Sequence, residues 1–146
     1  MSYETIFTIC NTAILLPWLL LVVAPRWQWT QIIIYSYLFP LAIAVVYLVV
    51  LLMTMNSGDG GAFNFFSLEG VSEIFSRKEV VLIGWLHYLA FDLFVGSWEV
   101  RDAQRNSIHH LLVVPCLFFT LMYGPVGLLM YMIIRFIKTR QLVVEV

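Results

Sequence analysis

The sequence predicts an all-α integral membrane bundle of about four transmembrane helices, and three observations carry that prediction. Hydrophobic residues make up 62% of the 146-residue chain and charged ones only 12%, against roughly 25% charged in soluble domains. The charges fall in a few short stretches, leaving uncharged runs of 21 residues (5–25) and 32 residues (27–58) and a 29-residue run (106–134) with no carboxylate, lysine or arginine. About 20 apolar residues cross a hydrocarbon core of about 30 Å. A soluble domain of this size keeps too much of its surface wet to hide so much apolar area.

The first span is expected near 4–24. The start, Met1-Ser2-Tyr3-Glu4, lacks the basic region of a signal peptide, so this run is read as retained. Arg26-Trp27-Gln28-Trp29 makes a tight turn at headgroup depth, where tryptophans favour the interface. The second span is expected near 31–54.

A polar connection follows over 56–79. Ser57-Gly58-Asp59-Gly60-Gly61 reads as a flexible turn. Residues 67–76 then fit a short interfacial helix with Phe66, Leu68, Val71, Ile74 and Phe75 as apolar contacts. The third span, near 80–100, carries His87 and Asp92 inside it. One ionisable group mid-helix costs about 3 kcal/mol on insertion scales, which the neighbouring leucines, phenylalanines and valines offset. The fourth span is expected near 109–135, and the whole chain, 1–146, reads as a single transmembrane domain. Pro17, Pro40, Pro115 and Pro125 fall within spans and are expected to kink them.

Charge and cysteine content narrow the function. The formal net charge is −1 and no basic run exists, which argues against a nucleic-acid partner. Cys10 and Cys116 lie in apolar runs and no C-x-x-C occurs, so both read as helix-buried thiols. With four spans, Arg77, Lys78, Arg135, Lys138 and Arg140 share one side with both termini, against Arg26, Arg101 and Arg105 on the other. The positive-inside rule then puts both termini in the cytoplasm.

The third span holds the informative residues. At about 100° per residue, with His87 at zero, Gly84 and Asp102 fall near 60°, Tyr88 near 100°, Glu99 near 120° and Asp92 near 140°. Polar groups thus share one arc, while Leu86, Leu89, Leu93 and Val100 fill the opposite side, which is expected to face lipid. A carboxyl group at Asp92 must be protonated, paired or bound to something at that depth. It either anchors a neighbouring helix, for example through Asn11, or lines a site with His87. His109-His110 opens the fourth span at the end where Glu99, Arg101 and Asp102 sit, so His110 is expected to meet Glu99 or Asp102 in an interfacial ion-pair network. A metal bound by Glu99, Asp102 and a histidine lacks H-x-x-H or H-E-x-x-H spacing, and no metal is expected. Gly124-Pro125-Val126-Gly127 sets two small residues around a proline. They either let helices approach closely or leave room for a flat ligand beside Tyr123 and Tyr131. No nucleophile elbow, P-loop, dinucleotide fingerprint or haem-attachment motif is present.

Residues 84–96, GWLHYLAFDLFVG, followed by Arg101-Asp102-Ala103-Gln104-Arg105, resemble the abscisic-acid-deficient-4-like membrane proteins, whose plant members are neoxanthin synthases. His110 to Leu117 and Gly124 to Leu129 continue the likeness, with Asn11 to Pro17 and Phe39-Pro40 where that family has its first two spans. The resemblance implies a membrane-embedded, cofactor-independent isomerase of a carotenoid or related polyene. In the plant members an epoxide of violaxanthin opens and rearranges to an allene without net redox change. Such chemistry needs an acid for the epoxide oxygen and a base for a proton on the adjacent carbon. The matching ionisable residues are His87, Asp92, Arg101, Asp102 and His110, with His87 and Asp92 expected as the acid/base pair. Asn11, Tyr88, Glu99, Arg101, Asp102, His110, Gly124 and Tyr131 are expected to line the substrate. The short chain, without a transit-peptide-like extension, looks like a bacterial-type member of the inner membrane. Its expected partners are the bilayer and an apolar polyene or isoprenoid, with self-association left open. The alternative is a non-catalytic protein that holds a pigment, a lipid or a partner helix.

Overall fold

The computed structural model describes residues 2–56 and 65–141, and every regular element among them is a helix. Helix α1 (Tyr3–Ala13) starts at Ser2, whose Oγ accepts from the Thr5 amide at 3.2 Å and so satisfies one of the free donors of the first turn. It gives way at Ile14 to α2 (Leu15–Val23). Pro17 has no amide hydrogen to continue the ladder across that junction. The two helices together are long and apolar enough to cross a membrane.

The second span begins later than expected. A short helix, α3 (Gln28–Ile33), is followed by a turn in which Tyr37 has φ 60°, and α4 runs over Leu38–Asn56. Pro40 lies in the first turn of α4, where a missing amide hydrogen costs nothing. In the polar connection, α5 (Leu68–Ile74) forms with Ser67 Oγ capping the Gly70 amide at 3.1 Å. Ile74 packs into the protein, and Phe66 and Leu68 are exposed apolar side chains on the outer side. The expected glycine-rich turn lies outside the described residues.

Helix α6 (Lys78–Arg105) has 28 residues, or about 42 Å of helix. It is the centre of the bundle, packing against α1, α2 and α4 and against the two helices that follow it. Leu86, Leu89, Leu93 and Val100 do not face lipid as expected. They are 0–3% exposed, because α1, α2 and α4 cover that side. The exposed apolar side chains are instead those of Leu15, Leu16 and Leu19 of α2 and of Leu41, Val45 and Leu48 of α4. Acyl chains are as apolar as leucine, so close packing and buried hydrogen bonds hold such a bundle together. At Gly96 an added methyl would stand 2.6 Å from the Trp18 ring, which shows how tightly α2 lies on α6.

The expected fourth span is not one helix. It divides into α7 (His110–Tyr123) and α8 (Pro125–Thr139), and the chain reverses between them. The start of α7 is tied to the end of α2 by the His110 Nε2 to Val22 O contact of 2.8 Å. Near its other end the Leu121 carbonyl accepts from Tyr88 at 2.8 Å. Along α8 the chain returns to Asp102, which Tyr131 and Arg135 contact. Tyr88 and Asp102 are 14 residues apart on α6, about 21 Å. The reversal turns on Gly124, whose φ of 47° and ψ of −95° suit only a residue without a side chain. Pro125 then opens α8. At Gly127 an added methyl would sit 2.1 Å from the Thr120 amide nitrogen, so the two arms press backbone to backbone.

This re-entrant hairpin overturns the expected arrangement of the ends. Tyr3 and Glu4 lie beside Lys78, whereas Arg135 lies beside Asp102, at the far end of α6. The first and last described helices therefore end on opposite sides of the bundle.

Candidate functional site

The expected polar arc on α6 is real, and the α7–α8 hairpin is what it faces. Glu99 is fully buried, and the Thr120 hydroxyl lies 3.0 and 3.2 Å from its two oxygens. Three residues on, Asp102 accepts from Tyr131 Oη at 2.5 Å and from Arg135 Nε at 2.9 Å. Tyr131 and Arg135 are one turn apart on α8, so both reach a single carboxylate. Arg135 is 2% exposed. Such an interior pair holds only when its hydrogen bonds are satisfied, and these bonds lock the returning arm of the hairpin to α6.

Asp92 stands at the tip of the hairpin. A methyl on Gly124 would be 3.1 Å from its Oδ1, and its Oδ2 is buried with no hydrogen-bond partner among the described residues. Gly124 also precedes the first turn of α8, whose positive dipole end favours the negative charge a carboxyl group carries after it has given up its proton. One turn before Asp92, Tyr88 donates to the Leu121 carbonyl and stacks on Trp85 at 5.3 Å.

Below the tip, the same flank of α6 is left uncovered by the hairpin. An apolar trough of about 670 Å³ runs there between α4, α5 and α6, lined by Tyr47, Met55, Phe75, Gly84, His87 and Tyr88. Gly84 is what lets α5 close one wall, since a methyl there would meet the Phe75 ring at 2.8 Å. The volume falls within the usual range of ligand sites, about 300–1,000 Å³. Tyr88 lines the trough, and Asp92 lies one helical turn beyond it, about 6 Å along the axis.

Two expected contacts do not form, that of Asn11 with Asp92 and that of His110 with Glu99 or Asp102. His87 and Asp92 face different elements: His87 is exposed, stacks on Phe91 at 4.4 Å and lies 6.1 Å from the Tyr47 ring of α4. Asn11 accepts from Trp85 Nε1 at 3.2 Å and does not anchor Asp92. His110 turns to the Val22 carbonyl and meets neither Glu99 nor Asp102. Arg101 donates to Tyr37 Oη at 2.7 Å and lies over the Tyr35 and Tyr37 rings. Among the described residues no three histidine, cysteine or carboxylate side chains converge. Tyr131 and Gly124 belong to the packed hairpin, so the close-approach reading of the small residues holds there. Thr120 and Arg135 were missed as site residues. The one-turn Tyr131–Arg135 spacing is the only local signal that could have pointed to a shared partner, because nothing in consecutive residues indicates that the chain turns back.

A helical membrane protein with acidic side chains buried along its central helix, beside a lipid-level apolar trough, is what the fold and site define. The ABA DEFICIENT 4-like family model matches residues 5–131, and the chain belongs to that family. It is 26% identical over 143 residues to Protein ABA DEFICIENT 4, chloroplastic, of Arabidopsis thaliana, an alignment covering 94% of this chain and 64% of that protein. The chain thus spans a little under two thirds of the curated relative it matches. No solved structure matches it.

Proposed function

We propose that the protein binds a carotenoid or related isoprenoid polyene in the trough between α4, α5 and α6 and isomerises it with Asp92. The observation that carries this reading is the buried Asp92 oxygen without a partner, one turn past the aromatic wall of the trough. Family membership supports the substrate class. The likeness to neoxanthin synthases supports the reaction, an epoxide opened and rearranged to an allene.

In that reaction one proton enters and one leaves. Asp92 enters as the neutral acid and donates its proton to the epoxide oxygen as the C–O bond breaks. Its carboxylate then accepts the proton from the adjacent polyene carbon, whose C–H electrons become the new C=C bond. Atoms and charge balance with no redox partner, and a single carboxyl group does the work expected of a pair. Tyr88 and His87 position the polyene along the trough, and the hairpin keeps water from the tip.

The protein is proposed to sit in a bacterial inner membrane. The reversal at Gly124 changes the count that sets its orientation. Arg26, Arg101, Arg105, Arg135, Lys138 and Arg140 now share one end, against Arg77 and Lys78 at the other. The α8 end is therefore cytoplasmic and the start of α1 lies across the membrane.

The test is expression in carotenoid-producing cells with wild-type and Asp92→Asn protein, followed by pigment analysis. A new isomer of unchanged mass with wild type only supports the proposal. A pigment that co-purifies one to one and unaltered with both proteins would instead mark a holding role.

A further inference from the structure

A second cavity, of about 530 Å³, opens at the basic end of the bundle between the α2–α3 connection and the start of α7. Arg26, Trp27, Gln104, Ser107 and His109 line it. Trp27 and Trp29 are each more than half exposed, and tryptophans so placed mark headgroup depth. Arg26 is exposed, with no hydrogen bond or ion pair among the described residues. His109 accepts the Leu111 amide on Nδ1 at 3.4 Å, which leaves Nε2 as a donor. The Gln104 amide nitrogen is already committed to Pro25 O and Tyr35 Oη, so the free donors here are Arg26, His109 and the Ser107 hydroxyl.

Charge separates the two ends of the molecule. Among the described residues the carboxylates near the membrane surface are Glu4, Glu69, Glu73 and Glu79, all in or beside α1, α5 and the start of α6. At the cavity end Asp102 is the nearest carboxylate in sequence, and it is buried and already paired with Arg135. The cavity is thus a headgroup-level recess with donors and positive charge on its walls and, among the described residues, no exposed acid opposing them.

We propose that this cavity holds the phosphate headgroup of an anionic phospholipid, with Arg26 and His109 as its ligands. The guanidinium presents paired donors to phosphate oxygens, and Trp27 shields the glycerol side. The site is separate from the polyene trough and does not depend on it.

The test uses the full chain in a mild nonionic detergent, titrated with dioctanoyl phosphatidylglycerol, with dioctanoyl phosphatidylcholine and with inorganic phosphate. Saturable binding of phosphatidylglycerol is expected, weakened about fivefold or more by Arg26→Gln and further by His109→Phe. Lys138→Gln removes an equal charge from the same end and should change affinity less than about twofold. Equal weakening by Arg26→Gln and Lys138→Gln would reduce the effect to a diffuse field and overturn the site. Equal affinity for the two lipids, or for inorganic phosphate and phosphatidylglycerol, would overturn the anionic-lipid assignment.

Discussion

Asp92 lies against Gly124 at the point where the chain reverses inside the membrane, with only 3.1 Å between its Oδ1 and the position a methyl would take on the glycine. The acid of the candidate site and the hinge of the re-entrant hairpin are therefore one structural unit. Changes to either are expected to register in the other.

Gly124→Ala adds a side chain where φ is +47° and where Asp92 already stands. The backbone term alone is about 1–2 kcal/mol. Gly127→Ala meets the Thr120 backbone at 2.1 Å, a contact that only separation of α7 and α8 relieves. Thermal unfolding in detergent should show both variants destabilised, with Gly127→Ala the more severe. Wild-type stability in Gly127→Ala would contradict the hairpin.

The Asp102–Tyr131–Arg135 network predicts a graded loss. Arg135→Leu strands a buried carboxylate and should cost about 3–5 kcal/mol. Tyr131→Phe removes one hydrogen bond to a charged acceptor and should cost about 1.5–3 kcal/mol. The double variant Asp102→Leu/Arg135→Leu leaves no unpaired charge and should recover much of the Arg135→Leu loss. Denaturant titrations of the set measure the coupling directly.

Opposite ends for the first and last helices are checked by single-cysteine labelling. Cys10 and Cys116 are buried, so background labelling with an impermeant maleimide is low. Cysteines at Ser2 and at Lys138 should label from opposite faces of sealed vesicles, with Arg26→Cys matching Lys138→Cys. Labelling of Ser2→Cys and Lys138→Cys from one face would restore a straight fourth span.

The separation of His87 from Asp92 predicts different kinetic signatures. Loss of a general acid costs about 10²–10⁴-fold, so Asp92→Asn should lower turnover by at least about 10²-fold with substrate binding nearly unchanged. His87→Phe preserves the stack on Phe91 and lines the trough without facing the tip. It should leave turnover within about threefold and act, if at all, on KM. A larger loss of turnover in His87→Phe would return His87 to the chemistry.

Sequence spacing alone determined the class of the molecule. Uncharged runs long enough for a hydrocarbon core announce α1–α2 and α4, an apolar stretch interrupted by His87 and Asp92 announces α6, and the angular positions of Tyr88, Asp92, Glu99 and Asp102 announce one polar flank on it. Those features are local, because hydropathy and helical period are properties of consecutive residues. Partners across the bundle were not legible. Residues 109–135 have the same hydropathy whether they run straight or fold back, so the reversal at Gly124 was hidden, and with it the Arg135–Asp102 pair and the side on which the chain ends. Only packing in three dimensions decided that His87 faces α4, that Asn11 serves Trp85, and that Asp92 meets a glycine rather than a counter-charge. Contacts between distant segments depend on how backbones approach, and a glycine's missing side chain permits such an approach without dictating it.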